Sequence, residues 1–372
     1  MTKKLFIRAM VCLFVGVFVL GAASLSSVEA KVIKWKMVTC WTPNYKLIEQ
    51  DKYFLKLMDE LVGDQFKIEF YPAGTLMKSK QTFDAVKAGT VQMGSDFPGY
   101  WAGKDTAFNF LASYPLGMTA SDYIGWIYKG GGWAEYQRVY GNFGMIYFPH
   151  GPITVESGPR GTKPIASLKD YKGLKLRMSG KVQGKVLKDI GTSQVKISSS
   201  EVYQAMQKGV IDAAESCTPE FDWGLGYGEI TTFSSHPGWH QPGSMCGIMI
   251  NKKAWATLPK NIQSAIKIAS QATVTETLAF QEYSSMEGTK KFAAKGVQTR
   301  HLSEEDLKKL AELINKYTYE EAKANPSFAK TAYSYFKYLH DYQAWRKLAA
   351  PLGQGWENQP LPDLAKIKAY IK

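Results

Sequence analysis

The chain lacks the local motifs on which common catalysts are built. There is no Gly-x-Ser-x-Gly elbow, no His-Glu-x-x-His pair and no Gly-rich loop ending in Gly-Lys-Ser/Thr. Motif support for a serine hydrolase, a zinc peptidase or a nucleotide-binding enzyme is therefore missing. Cysteine is scarce, four in 372 residues, and no Cys/His spacing of the zinc-binding kind occurs. After residue 30 no apolar stretch reaches bilayer length, and there are no solenoid-period repeats or low-complexity segments. Acidic residues are outnumbered, 33 Asp+Glu against 46 Lys+Arg, for a formal charge of +13. That excess suits an anionic small molecule or an anionic membrane surface, and equally describes plain surface charge. No basic cluster carries a groove-reading motif, so nucleic acid is not an expected partner.

What is present begins with an address. Lys3, Lys4 and Arg8 precede the uncharged run from Ala9 to Ala23, and Val28-Glu29-Ala30 offers a small-x-Ala cleavage site. Residues 1–30 read as a secretory signal peptide, and a soluble mature protein is expected from Lys31. Cys12 lies inside the apolar run rather than after it, so a lipid anchor is not expected. Taking three basic residues from 46 and one acidic residue from 33 leaves 43 against 32, a formal +11 for the mature part. Residues 31–372 exceed what one hydrophobic core usually holds, which predicts two lobes. The mature cysteines are Cys40, Cys217 and Cys246; export permits a Cys217–Cys246 disulfide, and spacing leaves the matter open.

Apolar residues alternate through Val32–Val38 and Phe66–Phe70, predicting strands, with an amphipathic helix from Tyr45 to Val62 between them. A short helix with Phe83 and Val86 stops at Gly89, and Val91–Gly94 reads as the next strand. In the middle of the chain Leu174–Met178, Val195–Ile197 and Ile211–Glu215 read as strands. Helices Val182–Ile190 and Glu201–Lys208 alternate with them, the second capped by Ser198-Ser199-Ser200. From Asn251 onward the pattern is helical: Ala254–Leu258, Asn261–Met286, Ser303–Ala324 behind a Ser303-Glu304-Glu305-Asp306 cap, and Ala329–Ala349 after Pro326. This order gives an α/β class with parallel strands layered against helices.

Five segments in order, Phe70–Leu76, Ala85–Gly94, Leu168–Arg177, Glu201–Glu215 and Asn251–Pro259, resemble the solute-binding subunits of tripartite ATP-independent periplasmic (TRAP) transporters. The resemblance implies a two-lobed periplasmic-binding-protein fold, type II-like, each lobe a mixed sheet flanked by helices, with C-terminal helices. Lobe I is expected from 31–152 and 243–285, lobe II from 153–242 and 286–328, and 329–372 as a helical segment and dimerisation arm. It further implies a periplasmic binding protein rather than an enzyme, TRAP membrane subunits as partners and no required cofactor. Glu215 with Pro237-Gly238-Trp239 is similar to the branch that binds 2-oxo and 2-hydroxy monocarboxylates, often with a cation; a sodium or calcium ion bridging the ligand carboxylate is the expected companion. An aromatic or branched ligand side chain is left open. A dicarboxylate or sugar acid is the alternative within the family; an exported hydrolase using Glu156 and Glu215, or an adhesin using the positive charge, is the alternative outside it.

Arg177 is the first candidate for the ligand carboxylate, because a guanidinium presents paired N–H donors and stays charged. Position alone favours an arginine that satisfies backbone carbonyls or a surface pair; the resemblance, whose binding arginine stands in this strand, favours the ligand. Glu215 ends an apolar strand and is read as a cation ligand or acceptor, or as a partner neutralising Arg177. Glu156, in the first segment expected to cross between lobes, is read with equal weight as a cation ligand or a solvated strand end. Ser216 and Gln241 complete the expected oxygen donors. Trp239 is expected at the ligand's apolar end, with Trp41 and Tyr100, alongside Tyr45 and Phe97, on the opposite lobe. His236 and His240 have the spacing of a helical metal pair, but Pro237, Gly238, Pro242 and Gly243 in and just after that stretch argue against a helix and hence against zinc. Finally, Tyr335, Tyr338, Tyr342, Trp345 and Ala349 form one helical seam, which packs either on its own lobe or on a second subunit.

Overall fold

The computed structural model describes residues 32–350 apart from Ser198. The signal-peptide reading, the side chains of the Ser198-Ser199-Ser200 cap and the apolar tail from Pro351 lie outside the described residues. The strands, in chain order, are β1 (Ile33–Thr39), β2 (Phe66–Tyr71), β3 (Met93–Asp96), β4 (Met145–Ile153), β5 (Arg160–Gly161), β6 (Lys175–Arg177), β7 (Ser193–Val195), β8 (Ala213–Ala214), β9 (Phe233–His236), β10 (Ser244–Asn251) and β11 (Gln298–His301).

They form two sheets, ordered β2-β1-β3-β10-β4 and β11-β9-β5-β8-β6-β7. In the first, β1 pairs in parallel with β2 and β3, as connections through the helices Ile48–Val62 and Thr82–Ala88 require. β10 then inserts antiparallel between β3 and β4. All of its residues are buried, which is why the segment is an apolar run without alternation. In the second sheet β6 is parallel to β7 and β8, while β5 is antiparallel to β8 and β9. The parallel order expected from local alternation thus holds for β2-β1-β3 and β7-β6-β8. Each sheet becomes mixed where a strand arrives from the other sheet.

Local chemistry sets the boundaries. Gly89 takes the left-handed conformation, φ 78°, and ends Thr82–Ala88. Ser303 Oγ accepts the Asp306 N–H at 3.0 Å and opens the helix Glu304–Ala324. The helix expected to stop at Met286 instead runs Lys260–Ala294, 35 residues, or about 52 Å. Gly288 is not a stop within it but a point of contact: a Cβ there would lie 2.3 Å from Glu220 N in the helix Pro219–Gly224. Ile262, Ile266 and Ala269 of the long helix pack with Met37, Phe148 and Ile250 of the first sheet. Near its other end Phe292 packs with Val202, Ala214 and Tyr227 at the second.

The last described helix, Pro326–Ala349, begins with Asn325 as cap and proline in its first turn, and buries Phe328, Thr331, Ala332 and Tyr335. Tyr335 lies against Phe110, Tyr123 and Trp126, and its hydroxyl accepts the Met118 N–H at 2.5 Å. The seam splits: its first part covers the chain's own first-sheet helices, while Trp345 and Leu348 are 55% and 76% exposed. The cysteine question also closes. Cys40, Cys217 and Cys246 are buried and free. No described helix is long and apolar enough to cross a membrane.

Candidate functional site

Besides the long helix, two short segments carry the chain between the sheets: residues 154–159 join β4 to β5, and 237–243 join β9 to β10. They run side by side. The Glu156 N–H donates to the Gln241 carbonyl at 3.1 Å, and a Cβ on Gly238 would sit 2.0 Å from the Glu156 carbonyl oxygen. β6 and β8 are parallel neighbours with Arg177 opposite Ala214, so their C-terminal ends bring Arg177 and Glu215 to one point.

Arg177 Nη1 is 2.9 Å from Glu215 Oε1 and donates to the Glu215 carbonyl at 2.5 Å, while Nε donates to the Ile197 carbonyl at 3.4 Å. Glu215 is fully buried. Burial favours its neutral form, but Arg177, His240 and the Ser179 N–H, at 2.5 Å from Oε1, together hold its pKa down to about 2. His240 stands between the two carboxylates, its Nε2 3.2 Å from Glu156 Oε2 and 3.5 Å from Glu215 Oε2. Burial pushes Glu156 up to about 7; His240 opposes the rise and Glu215 adds to it. Burial works against charge on His240, yet the neighbouring Glu215 charge and the hydrogen bond to Glu156 raise its pKa to about 9.

The remaining predicted residues divide. Gln241 Oε1 accepts from Ser179 Oγ at 2.9 Å, placing it beside the Glu215 anchor, and Ser216 Oγ is buried without a hydrogen-bond partner. Trp41 and Tyr100 lie together, ring centroids 6.1 Å apart, with Tyr45 5.9 Å from Trp41. Tyr45 reaches Phe221 at 5.8 Å, and Lys46 pairs with Glu220 at 2.6 Å, so this aromatic wall meets the helix Pro219–Gly224. Burial raises the hydroxyl pKa of Tyr45, whereas Tyr100 is 55% exposed. Trp239 is buried with its indole N–H donating to the Tyr171 hydroxyl at 3.2 Å, which turns that edge away from the carboxylates.

His240 is the residue that sequence reasoning left out. Its spacing pairs it only with His236, which belongs to β9 and contacts Ser234 at 2.9 Å and the His301 ring at 5.9 Å. The usable signal was its place between Trp239 and Gln241 in a Pro/Gly-bounded extended segment. Glu156, Glu215 and His240 offer donor atoms that all lie within 4.8 Å of one another, and all three residues are buried. Among the described residues Glu215 Oε2 has no hydrogen-bond partner. Two buried carboxylates around an unpartnered oxygen fit a bound cation.

The sequence model of the bacterial extracellular solute-binding proteins, family 7, also called DctP, matches residues 37–324. The chain belongs to this family. A curated relative, the monocarboxylate 2-oxoacid-binding periplasmic protein of a Nostoc species, is 32% identical over 329 residues, 87% of this chain and 89% of its own. Among solved structures, a TRAP periplasmic solute-binding protein from Colwellia psychrerythraea with bound calcium and pyruvate is 30% identical. It superposes with a TM-score of 0.81 over 86% of this chain and 98% of its own. One from Pseudoalteromonas atlantica with bound sodium and pyruvate is 28% identical, TM-score 0.80, covering 86% and 97%. A third, from Bordetella bronchiseptica, a mixed-occupancy dimer with copurified calcium and picolinate, is 28% identical, TM-score 0.80, covering 86% and 95%. This family member is accordingly a two-lobed solute-binding protein of the TRAP type and not an enzyme.

Proposed function

We propose that this solute-binding protein captures a small 2-oxo or 2-hydroxy monocarboxylate in the periplasm and delivers it to TRAP membrane subunits. The observation that carries the reading is Arg177, charged and only 12% exposed, paired with the buried Glu215, which His240 links to the buried Glu156 on the first crossing segment. Its guanidinium pairs with the ligand carboxylate. Glu156, Glu215, Ser216 and Gln241 supply oxygens toward a cation that accompanies the acid, with the His240 imidazole beside them. Trp41, Tyr45 and Tyr100 cover the ligand from the opposite side, and Trp239 backs the second crossing. The lobes are residues 31–152 with 243–285, and 153–242 with 286–328, closing over the acid. Residues 1–30 direct export, and the exposed outer half of the helix Pro326–Ala349, with 351–372, forms a contact between two copies.

The charge distribution supports a monocarboxylate over a dicarboxylate. With Glu215 paired to Arg177 and Glu156 joined to Glu215 through His240, a second ligand carboxylate brought to this cluster meets like charges, which cost several kcal/mol at a desolvated contact. Calorimetry of the mature protein with pyruvate, succinate and a sugar acid, in one series with calcium and a parallel series with zinc, tests this. Pyruvate is expected to bind at least about tenfold tighter than succinate, a gap of about 1.4 kcal/mol. Tighter binding of succinate or of the sugar acid overturns the reading.

A further inference from the structure

We infer that the cation taken up with the acid is a divalent transition-metal ion, ligated by His240 Nε2 together with Glu156 and Glu215, and not the sodium or calcium of the similar solved proteins. This assignment rests on the monocarboxylate reading above. It starts from distances: His240 Nε2 lies 3.2 Å from Glu156 Oε2 and 3.5 Å from Glu215 Oε2. An ion with ligand bonds of about 2.1 Å separates neighbouring donors by about 3.0–3.4 Å, so these atoms already stand near the edges of such a coordination shell. Two further observations point inward. Among the described residues, Glu215 Oε2 is buried and lacks a hydrogen-bond partner, and the His240 ring hydrogen-bonds Glu156 through Nε2 while its Nδ1 has no partner. The backbone holds the ring in place, because the Gln183 side-chain amide donates to the His240 carbonyl at 2.9 Å.

The donor types decide the class of ion. Calcium and magnesium take oxygen ligands, and sodium is bound in the same way, whereas a neutral imidazole nitrogen suits zinc, nickel, cobalt or iron. Charge agrees. With the imidazole neutral, as ligation through Nε2 requires, the two glutamates and the bound acid carry three negative charges and Arg177 one positive, so a divalent ion brings the group to neutrality while sodium leaves it negative. Burial makes that difference costly, since residual charge away from water is penalised. Glu156 and His240 therefore act as a pair: an added carboxylate demands a higher ionic charge, and an imidazole beside it selects the softer ions of that charge.

The test uses the mature protein freed of metal by chelation. Zinc, cobalt and calcium are titrated separately by calorimetry, and pyruvate is then added to each form. Zinc and cobalt are expected to bind at least about tenfold tighter than calcium. Cobalt should give visible d–d absorption bands that shift in His240→Gln, and that variant should narrow the zinc-to-calcium ratio by about 10–100-fold. Its melting temperature without metal serves as the folding control, and His240→Asn is the second variant if His240→Gln does not fold. Calcium binding tighter than zinc, or a ratio unchanged in the folded variant, overturns the assignment. So does metal-free protein binding pyruvate as tightly as any loaded form, because the imidazole would then fill the cation's place itself. Pyruvate binding supported by calcium alone sinks this assignment and leaves the monocarboxylate reading intact. Zinc preference without any acid binding does the reverse.

Discussion

Arg177 should be the residue whose loss costs most affinity. Its side chain is 12% exposed and its nearest charged partner is Glu215, 2.9 Å away and fully buried. At an effective dielectric near 20, a unit charge pair at about 4 Å is worth about 4 kcal/mol, and truncating one partner of a desolvated pair costs about 2–5 kcal/mol. For Arg177→Ala that translates into pyruvate affinity weakened by about 30-fold to several thousandfold. The same substitution strands Glu215, whose remaining partners are the Ser179 N–H and His240. Loss of one partner of a buried pair costs stability of about 3–5 kcal/mol, so melting without ligand must be measured alongside binding. The acid limb should move too. Arg177 and the other partners hold the Glu215 pKa at about 2, so its stabilisation is present above the ordinary carboxylate range and is lost as pH falls toward that value. Without Arg177 the loss should begin at higher pH. Arg177→Lys keeps the charge without the fork and should bind pyruvate with intermediate affinity. The decisive assay is calorimetry with pyruvate on both variants at a temperature where each is folded. If Arg177→Ala melts several degrees lower yet binds pyruvate within about threefold of the native protein, the arginine is a structural partner of Glu215 and the ligand is held elsewhere.

A second buried carboxylate predicts a separate pH dependence. Asp96 is buried against the Trp101 indole and the Tyr140 and Tyr147 hydroxyls, at 2.8 and 2.9 Å, and burial pushes its pKa up to about 7. The folded state then holds a proton that an unfolded aspartate releases near pH 4, so stability falls as pH rises from about 4 to 7. Asp96→Asn should flatten that part of the melting-temperature profile between pH 5 and 8, and an unchanged slope would refute the assignment. Gly238→Ala should impair both fold and binding, because its Cβ would sit 2.0 Å from the Glu156 carbonyl oxygen; a loss of about 1–3 kcal/mol is expected from denaturant melts, whereas Gly103→Ala, with no atom within 4 Å, should be neutral. For assembly, sedimentation should show a dimer for the mature chain and a folded monomer after truncation at His340. Cutting earlier, at Asn325, would remove the buried Phe328 and Tyr335 and test stability instead of assembly. A mature chain that sediments as a monomer at micromolar concentration refutes the contact.

Much of the frame was legible because it depends on local rules. Gly89 as a helix stop, Ser303 as a cap and the strand periodicity of Phe66–Tyr71 are decided by a few neighbouring residues. The meeting of Arg177 and Glu215 was also within reach, since two parallel strands in one sheet bring their C-terminal ends to the same side. The C-terminal helix was legible only in part. A stripe of aromatics shows that a face is buried, but not how far along the helix the cover extends, and here it ends between Tyr335 and Trp345.

The polar interior was not legible, and the reason is physical. Asp51 is fully buried between the Thr39 hydroxyl at 2.7 Å and His150 at 3.0 Å, residues drawn from three separate elements. Nothing in the sequence near any of the three announces the others. His240 is the same case with functional weight: spacing offered it His236, four residues away, as a helical partner, whereas its real partners are 84 and 25 positions distant. They reach it only because the two crossing segments pair at Glu156 and Gln241. A buried ionisable group is tolerated only where compensating charges converge, so its partners are set by topology and not by sequence distance. Residues at a junction between sheets are therefore the ones for which a sequence reading should enumerate every titratable side chain on both crossings. Applied to 154–159 and 237–243, that rule would have placed His240 beside Glu156 before any coordinates were known.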